Sequence, residues 1–173
     1  NRLLSNKVWE NASVKPLDRT DYQIVRLLRN NARLSNKELA AKVGLAPSTC
    51  LVRTRLLQQA GVITGFRAEV DAAALGVGLQ AMIAVRLKRH YKPDVEAFRQ
   101  HALDLPEVVR LYHVAGPIDF LAHVWARDPE HLRDLAMTAF TAREEVSHIE
   151  TELIFEHVSS DELPPFLGYS GPE

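Results

Sequence analysis

The sequence predicts an α+β chain of two modules, a small helical one followed by one that alternates strands and helices. Three observations carry this. Apolar residues recur at helical spacing as far as Gly61, period-two runs alternate with helical ones from Leu79 onward, and the charge changes sign between the two parts. Residues 1–70 hold 12 Lys/Arg against 5 Asp/Glu and residues 71–173 hold 9 against 17, so a module of +7 is joined to one of −8 although the chain sums to −1. Such a basic module points to a polyanion partner for the first part alone.

Residues 1–16 show no sustained period, end at Pro16 and read as an N-terminal arm, with Trp9 as an aromatic suited to docking on a neighbouring subunit. A domain of three helices is expected over 17–66. The first begins at Asp18, whose carboxylate caps orphan amides, with Leu17 and Tyr22 as a hydrophobic staple, Ile24, Val25 and Leu28 on the apolar face, and a stop at Asn30-Asn31. Ser35 opens the second with the capping box Ser35-x-x-Glu38; Leu39, Ala40 and Val43 face inward, and Gly44 ends it. The third starts at Pro47, which loses nothing at a first helical position. Cys50, Thr54 and Leu57 form its inward stripe, and the helix finishes at Gly61.

Two short capped helices joined by a tight turn at Val43-Gly44-Leu45-Ala46 are a helix-turn-helix, whose second element enters the DNA major groove. Small hydroxyls at that helix's start suit phosphates and base edges, and arginines a turn later can pair with guanine. The candidate DNA contacts are Ser35 and Asn36 at the start of the second helix and Pro47, Ser48, Thr49, Val52, Arg53, Arg55 and Gln59 on the third. VITGFRAEVD after Gly61 holds two β-rich pieces, expected to form a small strand or wing that runs into a linker over 67–78.

The second module is expected over 79–158. Residues 79–88 place Leu79, Ala81, Ile83, Val85 and Leu87 on one face and Gln80, Arg86 and Lys88 on the other. Val95, Phe98, Ala102 and Leu105 recur at helical spacing behind Pro93. Strands follow at 108–114 and 118–126 around the turn Ala115-Gly116-Pro117. Asp128-Pro129 opens a helix with Leu132, Leu135, Ala136, Ala139 and Phe140 inward, and 148–158 alternates Ile149, Thr151, Leu153 and Phe155. The order β-α-β-β-α-β is the ferredoxin-like arrangement, with both helices on one face of the sheet. Leu111, Leu121, Trp125 and Ile154 put apolar groups on the other face, which a second subunit is expected to cover. Residues 159–173, with Pro164-Pro165 and Gly168, read as an irregular tail.

The two modules together resemble the Lrp/AsnC family, the feast/famine transcriptional regulators of bacteria and archaea. The likeness runs from Leu17 to Val158 and is carried by LDRTDYQIVRLLRNNARLSNKELAAKVGLAPSTCLVRTRLLQQAGVITGF and, in the second module, by HVAGPIDF. It implies that double-stranded DNA is the partner of the first module and that Arg53 and Arg55 are the family's basic positions on the recognition helix. It also implies an acidic domain that dimerises, often assembles to octamers and binds an amino-acid effector between subunits. The family's effector turn falls on Tyr112, Val114, Ala115, Gly116, Pro117, Asp119 and Phe120. In such a site the Gly116 turn offers amides to a carboxylate and Asp119 meets an α-ammonium. The chain departs from the family at Ala46, where a capping Ser is usual, at Leu56, where a basic residue is frequent, and at Cys50, where an aliphatic residue is usual.

Other classes find less support. No HExxH, CxxC, Gly-rich phosphate loop or nucleophile elbow occurs, so no catalytic or metal-binding residues are assigned and no cofactor is expected besides the effector. Cys50 alone cannot form an internal disulfide, no run of 18 apolar residues exists, and a cytoplasmic protein without membrane contact is expected. Two alternatives stay open at this point. Siroheme decarboxylases are similar to this family and would use His113 and His123 here, and an effector module with a vestigial DNA-binding half would need no groove-reading helix.

Overall fold

The computed structural model describes residues 17–160 and residue 163. The expected N-terminal arm with Trp9, and Pro164, Pro165 and Gly168 of the tail, lie outside the described residues. The chain divides into two compact units, Asn1–Glu69 with Ser159–Glu173 and Val70–Val158.

In the first unit, α1 (Arg19–Asn30), α2 (Asn36–Val43) and α3 (Pro47–Gln59) enclose a core of Ile24, Leu28, Leu39, Ala40, Cys50 and Leu57. The helix starts follow the expected chemistry. Asp18 and Ser35 each accept from the backbone three residues on, Asp21 and Glu38 return the bond, and both capping boxes are complete. Gly44 caps α2 in the left-handed region, at φ 68°. α3 differs: Ala46 gives its first turn no side-chain bond, and only Cys50 and Leu57 of its residues are buried. Its inward face is completed by Thr54, whose hydroxyl turns back to the Cys50 carbonyl at 2.9 Å.

The β-rich segment after Gly61 forms no strand. Residues 64–71 have no regular structure, while Val62 and Ile63 pack against the helical core and are fixed by bonds from their amides to the Leu57 carbonyl at 2.9 and 3.1 Å. β propensity alone cannot make a strand without a neighbour to complete its hydrogen bonds. The tail residues 159, 160 and 163 have no regular structure, and 160 and 163 dock on α1. There the Tyr22 hydroxyl donates to the Leu163 carbonyl, and Arg29 reaches the Ser160 carbonyl at 2.7 Å.

In the second unit, β1 (Leu79–Leu87), α4 (Lys92–Asp104), β2 (Val108–His113), β3 (Phe120–Ala126), α5 (Pro129–Leu135) and β4 (Val146–Ile154) follow the expected βαββαβ order. The sheet is antiparallel throughout, in the order β2-β3-β1-β4. The core lies between one sheet face and the helices: Ala81, Ile83, Val85, Leu87, Phe120, Ala122 and Val124 meet Phe98, Ala102, Leu132, Leu135 and Phe140. The rings of Phe98 and Phe120 are 4.9 Å apart at 40°, and Phe98 also meets Phe140 at 6.1 Å. α5 continues as a π-helical stretch over Ala136–Thr141, which keeps Ala136 and Phe140 buried on the expected stripe.

Three expectations change. Leu111 does not face outward: a bulge between Val108 and Arg110 moves the register, so Leu111 pairs with Ala122 and packs on the core. β3 starts at Phe120 rather than 118, because Asp119 belongs to the turn. β4 lies earlier than 148–158. Its Ile149, Thr151 and Leu153 do pair with the core-facing Val85, Ile83 and Ala81, but the helices cover only its start, leaving Leu153 and Phe155 exposed.

Gly78 enters β1 against the backbone of Arg127. Its amide donates to the Ala126 carbonyl at 3.0 Å, and a Cβ built on it would stand 2.0 Å from the Arg127 carbonyl oxygen. Gly78→Ala is expected to destabilise this unit by about 1–3 kcal/mol, because backbone rather than a flexible side chain must give way. Urea unfolding followed by tryptophan fluorescence checks this, since Trp125 reports on β3.

Candidate nucleic-acid interface and effector turn

The expected DNA contacts separate into two groups in the structure. Ser35, Pro47, Ser48, Thr49, Val52, Arg55 and Gln59 are exposed. Arg55 makes no ion pair among the described residues. Ser35 remains occupied as the α2 cap, its hydroxyl 2.7 Å from the Glu38 carboxylate, and these bonds hold Glu38 below its usual pKa. Asn36 and Arg53 are committed to protein. The Asn36 amide donates to the Pro47 carbonyl at 2.7 Å and so fixes the start of α3 against α2. Arg53 Nη1 donates to Asp18 Oδ2 at 2.6 Å and to Asp21 Oδ1 at 2.8 Å.

The effector turn also separates. Ala115, Gly116 and Pro117 are exposed, and Gly116 has φ 138°, a conformation that leaves the turn's backbone open and disfavours side chains. Tyr112 stands 44% exposed on the uncovered sheet face. Val114 closes the turn by donating its amide to the Asp119 carbonyl at 2.9 Å. Phe120 is wholly buried, with the His113 ring stacked at 4.7 Å beside it. Asp119 is only 4% exposed and both its oxygens are engaged: Oδ2 accepts from the Leu87 amide at 2.8 Å and Oδ1 lies 2.6 Å from His90 Nδ1. Both carboxylate oxygens of Asp119 are thus engaged within the protein, one by backbone and one by the exposed His90 ring. His90 carries no local signal, because its partner Asp119 lies far along the chain; Asp18 is marked by its spacing only as a helix cap, with no sign of Arg53.

The sheet face away from the helices presents Leu121, His123 and Trp125 from β3, Met82 and Gln80 from β1, and Ile154 from β4. His123 Nε2 and Trp125 Nε1 converge on Gln80 Oε1 at 2.9 and 3.1 Å. An amide oxygen only accepts, so His123 carries its proton on Nε2. The expected enzyme candidates are therefore used structurally, His113 in a ring stack and His123 in this network.

A basic helix-turn-helix joined to a four-stranded α+β domain defines a DNA-binding regulator with a ligand domain. Comparison with known proteins agrees. Residues 17–64 match the model of a winged helix-turn-helix DNA-binding domain and residues 80–164 that of the Lrp/AsnC ligand binding domain. The chain is similar to the HTH-type transcriptional regulator AldR of Mycolicibacterium smegmatis, 44% identical over 83% of this chain and 84% of that one. It is also similar to the leucine-responsive regulatory protein of Rhizobium meliloti, 37% identical over 82% of this chain and 91% of that one. Among solved structures, a transcriptional regulator of Neisseria meningitidis in complex with L-Met superposes with a TM-score of 0.77 at 28% identity, over 83% of this chain and 93% of the other. The chain belongs to the Lrp/AsnC family of transcriptional regulators. It is a DNA-binding regulator responsive to a small-molecule effector, not an enzyme, as its relatives are regulators. Among the described residues no helix is long and apolar enough to cross a membrane.

Two outcomes follow from the geometry. Asp119→Ala leaves the buried Leu87 amide without a partner and is expected to cost about 1–3 kcal/mol in chemical unfolding, whether or not an effector is present. Burial, with Arg110 and His157 nearby, holds the His123 imidazole below its usual pKa. Below about pH 6.5 the unfolded chain therefore takes up a proton that the folded one resists, and stability is lost on acidification while it is fully present above that pH. His123→Gln is expected to flatten that part of the pH profile of thermal melting.

Proposed function

We propose that the chain is a sequence-specific regulator that binds double-stranded DNA as a homodimer, assembles further to an octamer, and responds to an amino acid. Ser48, Thr49, Val52, Arg55 and Gln59 are its groove-facing residues, with Ser35 and Pro47 beside them. The observation that carries the DNA half is α3 itself. Its first turn has no acid and no side-chain cap, its hydroxyls at Ser48 and Thr49 are exposed, and it belongs to the module of charge +7. Free amides and small donors at a helix start suit a phosphate, and an exposed arginine two turns on suits a base edge.

The homodimer rests on the uncovered sheet face, where Leu121, Trp125, Met82 and Ile154 leave apolar surface that a second copy would bury. A twofold dimer presents its recognition helices to half-sites about one helical turn apart. The amino-acid effector rests on the open turn Ala115-Gly116-Pro117 and on the relatives, one solved with L-Met and one named for its response to leucine. Backbone amides around Gly116, with Tyr112 and Val114 beside them, are the groups offered to the carboxylate of such a ligand; Asp119 and Phe120 shape the turn from below. Its work lies with the DNA, which places it in the cytoplasm.

The test has two arms. In thermal melts of the full chain against the twenty amino acids, a ligand at a hundredfold excess over its dissociation constant is expected to stabilise by about 2.7 kcal/mol and then to alter a gel shift. No stabilisation by any of them removes the amino-acid reading. Arg55→Ala is expected to lose about 1–3 kcal/mol of specific binding, or, if Arg55 meets only phosphate, to weaken all duplexes alike and lower the salt slope. Unchanged binding removes Arg55 from the interface.

A further inference from the structure

We infer that Arg53 is a positioning residue: it clamps the recognition helix α3 to the start of α1 and contacts no base, leaving recognition to its exposed neighbours. The inference rests on the reading of α3 as the groove-facing helix. One guanidinium nitrogen of Arg53 bridges Asp18 at 2.6 Å and Asp21 at 2.8 Å, and the Arg53 side chain is only 33% exposed. Asp18 divides its two oxygens, Oδ1 capping α1 by accepting from the Asp21 amide at 2.8 Å and Oδ2 taking Arg53. The clamp is thus tied to the residue that caps α1. Both acids hold the guanidinium charged, and although burial pushes the Asp18 carboxyl up, the Asp21 amide and Arg53 outweigh it and hold it below the usual range.

The rest of α3 makes the clamp necessary. Its first turn is uncapped, it buries only Cys50 and Leu57, and on the α1 side it borders a groove of about 500 Å³ along Leu17, Thr49, Val52 and Leu56. Val52 and Leu56 are 54% and 56% exposed, so little apolar contact fixes the helix on that side. The position of α3 is set on its other flank by Asn36, through the Pro47 carbonyl. Charge argues in the same direction. Arg53 with two carboxylates is a cluster of net −1, and withdrawing Arg53 toward DNA would leave two bare carboxylates beside a polyanion.

These two roles give opposite signs when the acids are removed. A duplex selected from a random-sequence pool by the full-length wild-type chain serves as the probe, with affinity measured by fluorescence anisotropy well below the melting temperature. Asp18→Asn keeps a good capping residue. If Arg53 is a clamp, Arg53→Gln and the double change Asp18→Asn with Asp21→Asn each weaken binding about tenfold, the factor given by a coupling of about 1.4 kcal/mol. All three changes together weaken it no further than either set alone. The salt slope and the sequence preferred in reselection stay as in wild type. The acid-to-amide changes lower the negative charge near DNA, so simple electrostatics cannot produce that loss. Tighter or unchanged binding of the double variant, or a changed base preference for Arg53→Gln, overturns the inference. Arg55→Gln and Thr49→Ala are measured in parallel: if both leave binding unchanged, the groove-facing reading of α3 has failed, a result distinct from either outcome for Arg53.

Discussion

A buried backbone amide that leaves its ladder must find another acceptor, and in the ligand domain this requirement falls on Leu87. The pairing of β1 with β4 shifts between Arg86 and Leu87, and the Asp119 carboxylate takes the Leu87 amide. The Asp119 amide in turn donates to the Val85 carbonyl at 2.9 Å, so backbone and side chain of one residue bind the end of the central strand twice. The Ala115-Gly116-Pro117 turn is anchored through the same residue, because Val114 closes on the Asp119 carbonyl. The exposed part of the turn is therefore carried on a rigid base, and its shape depends on β1 as much as on its own sequence.

The helical unit solves a different problem. α1 and α2 carry complete capping boxes, which satisfy their first amides locally. α3 has none, so its first amides are left for solvent or for a ligand and its placement comes from contacts to the other helices. A helix that is to bind phosphate gains from an empty start, and the loss of about 1 kcal/mol from the missing cap is the corresponding cost in stability. Bonds from Asn36 and Arg53 place the helix while leaving that end open.

Elements whose signal is local were readable from the sequence, and features that depend on distant partners were not. Asp18, Ser35, Gly44 and Pro47 marked helix ends through residues within four positions of themselves, and all four sit where their chemistry requires. The period-two faces of β1 and β3 were equally plain, because both strands are paired on two sides and one face is fully covered. β4 is an edge strand with partial cover, so its apolar alternation ran past the end of the sheet at Ile154. Leu111 was misplaced by a bulge, which shifts the faces of a strand without changing its composition. At the sites, exposure separated residues that look alike in sequence. Arg53 and Arg55 differ only in which side of α3 they leave from, and nothing local to Asp119 announces the Leu87 amide and His90, which are joined to it by the fold alone.

The docking of residues 160 and 163 on α1 makes the helical unit discontinuous in sequence. Its helices end at Gln59, yet two of the bonds on α1 come from beyond Ile154. During synthesis the three helices can pack from local contacts as soon as they emerge, since such contacts have little loop entropy to overcome. The Tyr22 and Arg29 bonds must wait until β4 has left the ribosome. The DNA-binding unit can thus begin to fold before the ligand domain exists, yet it gains these two contacts only after β4 has been made.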